Sequence, residues 1–494
     1  MFAPFRAKFA AMSRARGWSC KSRIRVSVTA AAAVLGLSGC APFSPDAGMG
    51  VVSDIAGAAI GKDVAFVRSA EDAARADDSA RRLLSRPLSV DAAVQIALLS
   101  NMSLQAVYGE LALAETDLVA ASLPPNPVFS ISGITGDAAS EAERQVVGNI
   151  LALATLPVRS DIARGRFRQA QLKAALDTLR LAGEVRRAYY RAVAANELAA
   201  LLTDAKSTTE ATAQLAKRLG ETGSISKLDL AREQVFDAET AAELGIARQE
   251  ASRSREQLAR LLGLEDASGA LRLPARLPPL PGRPLARASV EADAIGHRID
   301  LQIARLELVA LAKSLDLTEA TRFVTLLDVA GIDRRTIEPG TAPFRERGFD
   351  VQFQIPIFDG GEVRVRQAIE TYRIAYNRLR EKAVNVRSEA REAYGVYRSA
   401  YDIANRYQRD VLPLRQTISD EMQLRLSSMQ VDVFALVTEA RQRLASERAA
   451  IGARQAFFVA QSDLLTAIDA GGPVAATDNR SAMAVTAQAS AGNH

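Results

Sequence analysis

Histidine and cysteine carry much of the chemistry that side chains do, and this chain is short of both. Its 494 residues hold two histidines, His297 and His494, and two cysteines, Cys20 and Cys40. No nucleophile–base pair and no His-rich metal cage can be built from so few. Gly57-Ala-Ala-Ile-Gly61-Lys62-Asp63 approaches the spacing of a phosphate-binding loop. It lacks one spacer residue, and Asp63 stands where a magnesium-binding Ser or Thr belongs. The chain is therefore expected to be no enzyme and to need no cofactor or resident metal.

Cys40 has a different expected chemistry. Arg6, Lys8, Arg14, Arg16, Lys21, Arg23 and Arg25 all precede it, with no acid among them, and an apolar run at 26–37 follows. That run is too short to span a bilayer and reads as a secretion signal over 1–39. Met12 is an alternative start. Leu37-Ser-Gly-Cys40 resembles the lipobox of bacterial lipoprotein precursors, which implies cleavage before Cys40 and its lipidation. Ala41 in place of Asp implies, by the same resemblance, sorting to the outer membrane. The formal charge of +5 comes from the leader: without its seven cations, 55 basic residues face 57 acidic ones. A balance of −2 gives no electrostatic case for nucleic acid.

The remaining signals are patterns of polarity. Phe349, Val351, Phe353 and Ile355 alternate with Asp350, Gln352 and Gln354, which predicts a strand with one apolar and one polar face. Pro356 ends it and Asp359-Gly-Gly361 turns the chain. A helical seam follows at steps of three and four: Ala383, Val386, Ala390, Ala393, Tyr397, Ala400, Ala404, Tyr407, Val411, Leu414 and Ile418. Pro413 falls inside it and predicts a kink or register change rather than an end.

The first half follows the same plan. Residues 40–86 are expected to be extended and then form a short polar helix over 69–85. The first repeat covers 87–273: a helix over 89–122, a strand over 128–135, a polar loop over 136–144, a strand over 146–156 stopped by Pro157, and a helical hairpin over 158–219 and 225–262. Residues 274–284, with five prolines, form a linker. The second repeat covers 285–470: a helix over 285–320, a strand over 323–332, a polar loop over 333–347, the strand at 349–355, and a hairpin returning over 430–468. Leu104-Gln105 matches Leu301-Gln302, and Glu184-Val-Arg-Arg-Ala-Tyr189 matches Glu389-Ala-Arg-Glu-Ala-Tyr394. Glu233 matches Glu439, so the offset drifts from 197 to 206. The tail, 471–494, is small and polar and is expected to be disordered.

This order of elements resembles the outer-membrane factor family, the TolC-like channels, over roughly 86–470. The motifs that carry the resemblance are Pro356-Ile-Phe-Asp-Gly-Gly361 and Gly223-Ser-Ile-Ser-Lys-Leu-Asp-Leu230 with Gln234. Leu123-Pro-Pro-Asn-Pro127 and Val411-Leu-Pro-Leu414 look most like the heavy-metal efflux branch, and the lipobox fits the lipoprotein members. The resemblance implies a mainly α fold. Long antiparallel helical hairpins form an α-barrel, and four strands per chain join a shared trimeric twelve-stranded β-barrel. It implies an exit duct of a tripartite efflux system, lipid-anchored in a Gram-negative outer membrane and reaching into the periplasm. The expected partners are two further copies of the chain, membrane lipid, a periplasmic adaptor protein and an inner-membrane pump of the resistance-nodulation-division type. The cargo would be metal ions or small toxic compounds.

Physics points the same way, since four strands cannot close and open edges do not survive in lipid. Asp350, Gln352 and Gln354 are then expected to line the lumen. The hairpin turns, with Gly220, Thr222 and Gly223 in one and Ser427, Ser428 and Met429 in the other, would form the periplasmic tip and meet the adaptor. Family members often place acidic rings after the second turn, but Ala435 and Thr438 occupy those positions here. Asp229 and Asp432 are the substitute gate candidates. Two other readings stay open: a duct for type I protein secretion, and a lipid-anchored coiled-coil scaffold with no pore.

Overall fold

The computed structural model describes residues 43–264, 271–286 and 290–471. Cys20, Cys40 and His494 lie outside them, as does the tail after Gly471. Among the described residues eleven helices and four strands are arranged in two similar halves.

The first half opens on α1 (Met49–Ile60) and α2 (Ala70–Leu84). The segment before α2 is thus helical in part, where an extended run was expected. Its Gly and Ala residues let it lie close on the long helix, with Val52 and Ala56 fully buried. Ser69 caps α2 through a capping box with Asp72. Next come α3 (Val90–Ser100) and α4 (Met102–Ser122), β1 (Val128–Thr135), β2 (Ser140–Asn149), α5 (Ile150–Glu221) and α6 (Lys227–Leu262). The second half repeats them as α7 (Val290–His297), α8 (Ile299–Ala320), β3 (Leu326–Ile337), β4 (Phe344–Gln354), α9 (Glu362–Arg406), α10 (Leu412–Ser427) and α11 (Val433–Asp469).

The expected single helices over 89–122 and 285–320 are each broken in two, at equivalent points. Asn101 leaves helical geometry with ψ 112° and Arg298 with ψ 116°. Asn101 accepts from the Leu104 amide at 2.9 Å and donates to the Leu261 carbonyl at 2.9 Å, so it caps α4 and ties it to α6. Arg298 has no capping oxygen. It pairs instead with Asp300, at 2.9 and 3.1 Å, and with Glu389 of α9 at 2.5 Å.

Pro157 does not stop a strand. It lies eight residues into the 72-residue α5, which starts directly from β2 with Asn149 as its cap. At ~1.5 Å per residue α5 is about 108 Å long. The helices α4, α6, α8 and α11 all pack along it. Alanine lines these contacts, among them Ala174, Ala175, Ala188, Ala192 and Ala194. Where the halves meet, Tyr397 lies 5.5 Å from Phe457, and Phe458 stacks on Tyr190 at 4.7 Å between ring centres. Burial pushes the Tyr189 phenol up to about 12, and it stays a neutral donor to the Leu88 carbonyl at 2.9 Å.

Beyond this core the hairpins hold a small apolar cluster of Leu202, Leu244 and Ala247 with Leu198, Ala199 and Leu444. Ion pairs join the hairpins as well. Lys206 meets Asp237 at 2.8 Å, Arg448 meets Glu243 at 2.6 Å, Arg441 meets Glu233 at 3.0 Å, and Arg415 meets Glu439 at 3.2 Å.

A five-residue π-turn, Tyr407–Val411, joins α9 to α10 just before Pro413. Missing the Pro amide and gaining one residue, the turn moves the packed face by one position. Val386, Ala390, Tyr397 and Ala404 are buried as the seam requires. Past the π-turn, Leu414 and Ile418 are exposed, against expectation, and Arg415 and Ser419 take the inner positions.

Candidate pore-lining sheet and helical tips

The four strands form one antiparallel sheet in the order β1-β2-β3-β4. β2 runs over Ser140–Asn149 and β3 over Leu326–Ile337, so most of the two expected polar loops is strand. The turns are only 136–139 and 338–343. The cause is that these strands carry charge on both faces near the turns, which erases the apolar–polar alternation.

Residues paired across an antiparallel ladder lie on one face. The register puts Phe129 opposite Val146, Val146 opposite Gly331, and Gly331 opposite Phe349. Val329 opposes Val351, and Leu327 opposes Phe353. One face is therefore an apolar band, and Phe349 is 81% exposed, Ile131 80% and Phe129 72%. The other face carries Ser130, Ser132, Glu141, Glu143, Gln145, Asp328, Arg334, Glu346, Asp350, Gln352 and Gln354. It is also the more enclosed: Ala330 and Thr336 are buried there. Asp350 accepts from Gln352 at 2.9 Å, and Arg334 donates to Glu143 at 2.7 Å. Asp350, Gln352 and Gln354 thus share the polar face. Glu141, Glu143, Arg334 and Glu346 lie in segments that read as loops, while Asp328 lies in the strand expected over 323–332 but was not singled out as a site residue. Their alternating charges, as in Glu141-Ala-Glu143-Arg-Gln145, were the only signal.

The strand-to-helix turn needs glycine. Gly361 has φ 74°, and a Cβ there would collide with the Arg322 carbonyl oxygen. Arg322 also donates to the Gly360 carbonyl at 2.8 Å and pairs with Glu362 at 2.9 Å.

At the far ends of the hairpins the two turns are built alike. Ser224 donates its amide to the Leu219 carbonyl at 2.8 Å, and Gln430 does the same to Arg425 at 2.8 Å. Gly223 holds φ 72° and Met429, its counterpart 206 residues on, holds φ 57°. Met429 is thus a non-glycine residue in the left-handed region, and it is 94% exposed. The gate candidates both sit at helix starts. The Asp432 carboxylate accepts from the Ala435 amide at 2.8 Å, capping α11. The Asp229 carboxylate accepts from the Ser226 hydroxyl at 2.7 Å, beside the α6 cap, and pairs with Arg232 at 3.2 Å.

Among the described residues no helix is long and apolar enough by itself to cross a membrane, and no group of His, Cys, Asp and Glu could hold a metal ion. The four-stranded sheet, with its two unpaired edges among the described residues and its exposed apolar face, is carried on long helical hairpins. The chain shares that fold with several solved proteins. The outer-membrane channel CmeC of Campylobacter jejuni superposes with a TM-score of 0.67 at 13% identity, over 81% of this chain and 89% of that one. The open-state outer-membrane channel MtrE of Neisseria gonorrhoeae gives 0.64 at 14% identity, over 80% and 89%. CusC, which forms a transmembrane channel, gives 0.63 at 15% identity, over 77% and 92%. No protein-family model and no curated protein sequence matches the chain.

Proposed function

We propose that the chain is one third of a trimeric outer-membrane exit duct of a tripartite efflux system. The observation that carries this is the sheet. Among the described residues β1 and β4 have no outer partner and nothing covers the apolar band. Four strands leave two open edges in lipid, each costing several kcal/mol per unsatisfied group. Three copies closed edge to edge give twelve strands, with the apolar band in lipid and the polar face around water. The duct conducts passively, and its energy comes from an inner-membrane pump of the resistance-nodulation-division type through a periplasmic adaptor. The two similar turns, with Gly220, Thr222, Gly223, Ser427, Ser428 and Met429, form the tip that the adaptor meets. An exposed methionine held in a strained backbone there supports this. Asp229 and Asp432 stand at that mouth as gate candidates. The motifs at 123–127 and 411–414 favour metal ions or small toxic compounds as cargo.

Lipidation of Cys40 belongs to the same reading. The Ser44 amide is held by Glu115 at 2.6 Å, on the helix that leads into β1. Cys40 lies three residues before Phe43, a reach of about 10 Å at full extension.

The experiment is conductance in planar bilayers together with mass in mild detergent. The expected result is a stable conducting pore and a particle of about three chains' mass. A stable monomer with full strand content, or a trimer that never conducts, would overturn the proposal.

A further inference from the structure

The outward face of the sheet changes character toward its hairpin turns. Below lies the row of Phe129, Val146, Gly331 and Phe349. The next row on the same face is Ile131, Arg144, Asp333 and Arg347, and the one after is Ala142, Arg335 and Arg345. At ~3.4 Å per residue, Arg347 and Arg345 stand about 7 and 14 Å beyond Phe349. Arg345 donates to Asp333 at 2.7 Å, and Arg347 approaches it at 3.9 Å. Arg144 and Arg335 are exposed and have no hydrogen bond or ion pair among the described residues. Four guanidinium groups against one carboxylate leave +3 on this face. The matching rows of the opposite face carry Glu141, Glu143, Glu346 and Arg334, or −2. Asp137 and Glu338 lie beyond both faces, in the turns.

This segregation has no internal purpose, since the cations exceed their partners and stand on the side away from the enclosed face. We propose that Arg144, Arg335, Arg345 and Arg347 form a binding girdle for the phosphate groups of acidic lipid head groups in the leaflet at the hairpin end of the barrel. The inference rests on the duct reading for the direction of the apolar band. Phosphates lie at the boundary of the hydrocarbon layer, where these side chains emerge. A guanidinium holds phosphate oxygens in a bidentate fork, and its stem can lie along the apolar band. Closure into a trimer would repeat the cluster three times around the rim.

The test uses the full-length protein purified in neutral detergent and reconstituted into vesicles of phosphatidylcholine with a minor fraction of lipid A, a glycolipid bearing phosphomonoesters. Lipid retained per trimer after re-extraction is measured by mass spectrometry. Lipid A should be enriched about tenfold over its share of the vesicle, and its dephosphorylated form should not. Arg144→Gln/Arg335→Gln/Arg347→Gln, which leaves the Arg345–Asp333 pair intact, should abolish the enrichment. Arg334→Gln removes one cation from the opposite face and should leave the enrichment unchanged. If the triple variant assembles poorly, Arg347→Gln alone should lower enrichment two- to threefold. Equal retention of lipid A by wild type and variants, or enrichment that survives dephosphorylation, would overturn the girdle. So would full competition by soluble inorganic polyphosphate, which would mark a general anion site. Conductance is recorded on the same preparations. Normal pores without lipid A enrichment sink the girdle alone, whereas the absence of pores sinks the duct reading with it.

Discussion

Gln352 and Phe353 are neighbours with opposite tasks, and the pair tests the sheet at the level of single side chains. The register puts Gln352 opposite Asp328 on the polar face and Phe353 opposite Leu327 on the apolar band. An arginine on a lipid-facing midplane position costs about 2–4 kcal/mol, and little on the lumen side. Gln352→Arg should leave the yield of trimer intact and move ion selectivity toward anions, because the polar face is otherwise acidic. Phe353→Arg should cut assembly without a clean selectivity change. If the two behave alike, the strand is inverted or outside the membrane. A second residue shows what burial alone does. Desolvation in the helical core pushes the Asp177 carboxyl up from its ordinary value, against the pull of Arg180 and Lys173. Its folded-state value lies above the unfolded one, so the charged form opposes folding at neutral pH, and that penalty fades as pH falls through the folded-state value. Asp177→Asn should therefore raise the unfolding temperature at pH 7, with the gain shrinking in acid as the pH falls through the raised folded-state value. A gain that stays constant from neutral pH into acid would place its cause elsewhere.

At the scale of elements, the sequence revealed what a single period could show. β1 alternates cleanly and its bounds, 128–135, were read correctly; the apolar end of β4 was equally plain. β2 and β3 were cut short, because charges on both faces near the turns imitate a loop. The helix breaks at Asn101 and Arg298 were invisible, since apolar periodicity continues across both and only the tertiary partners, Leu261 and Glu389, reveal them. Pro413 announced a register change, but not its direction, which decides that Arg415 rather than Leu414 faces Glu439. That inward turn of polar residues explains how the distal hairpins hold together. Glu233 is buried on α6 and is met by Arg441 of α11, whose guanidinium also stacks on Phe236 at 4.0 Å. Arg441→Leu strands the carboxylate and should cost about 2–3 kcal/mol in unfolding experiments. Adding Glu233→Gln should recover at least half of that loss. If the second change adds to the first, the two residues are not coupled and the hairpins are joined by something else.

At the scale of the assembled molecule, the unanswered demand is the pair of sheet edges. β1 and β4 are eight and eleven residues long, and among the described residues neither has the proline or the covering loop that soluble proteins use to blunt an edge. Such edges require another strand, and the nearest supply is a second copy of the chain. Ser130 on β1 and Gln352 on β4 both lie on the polar face, so closure should bring Ser130 of each copy to the same lumen as Gln352 of the next. A chain carrying Ser130→Cys and Gln352→Cys, treated in membranes with a bismaleimide on a long flexible spacer, should run as a covalent trimer after denaturation. Each single variant has one engineered thiol per copy and should stop at a dimer, and the natural chain controls for reaction at Cys20 or Cys40. The trimer limit is the decisive feature, because β1-to-β4 linkage of three copies closes a ring and leaves no thiol to extend it. A ladder running past three would mean open edge-to-edge stacking, and a double variant that stays monomeric would mean that the sheet finds its partner in some other way.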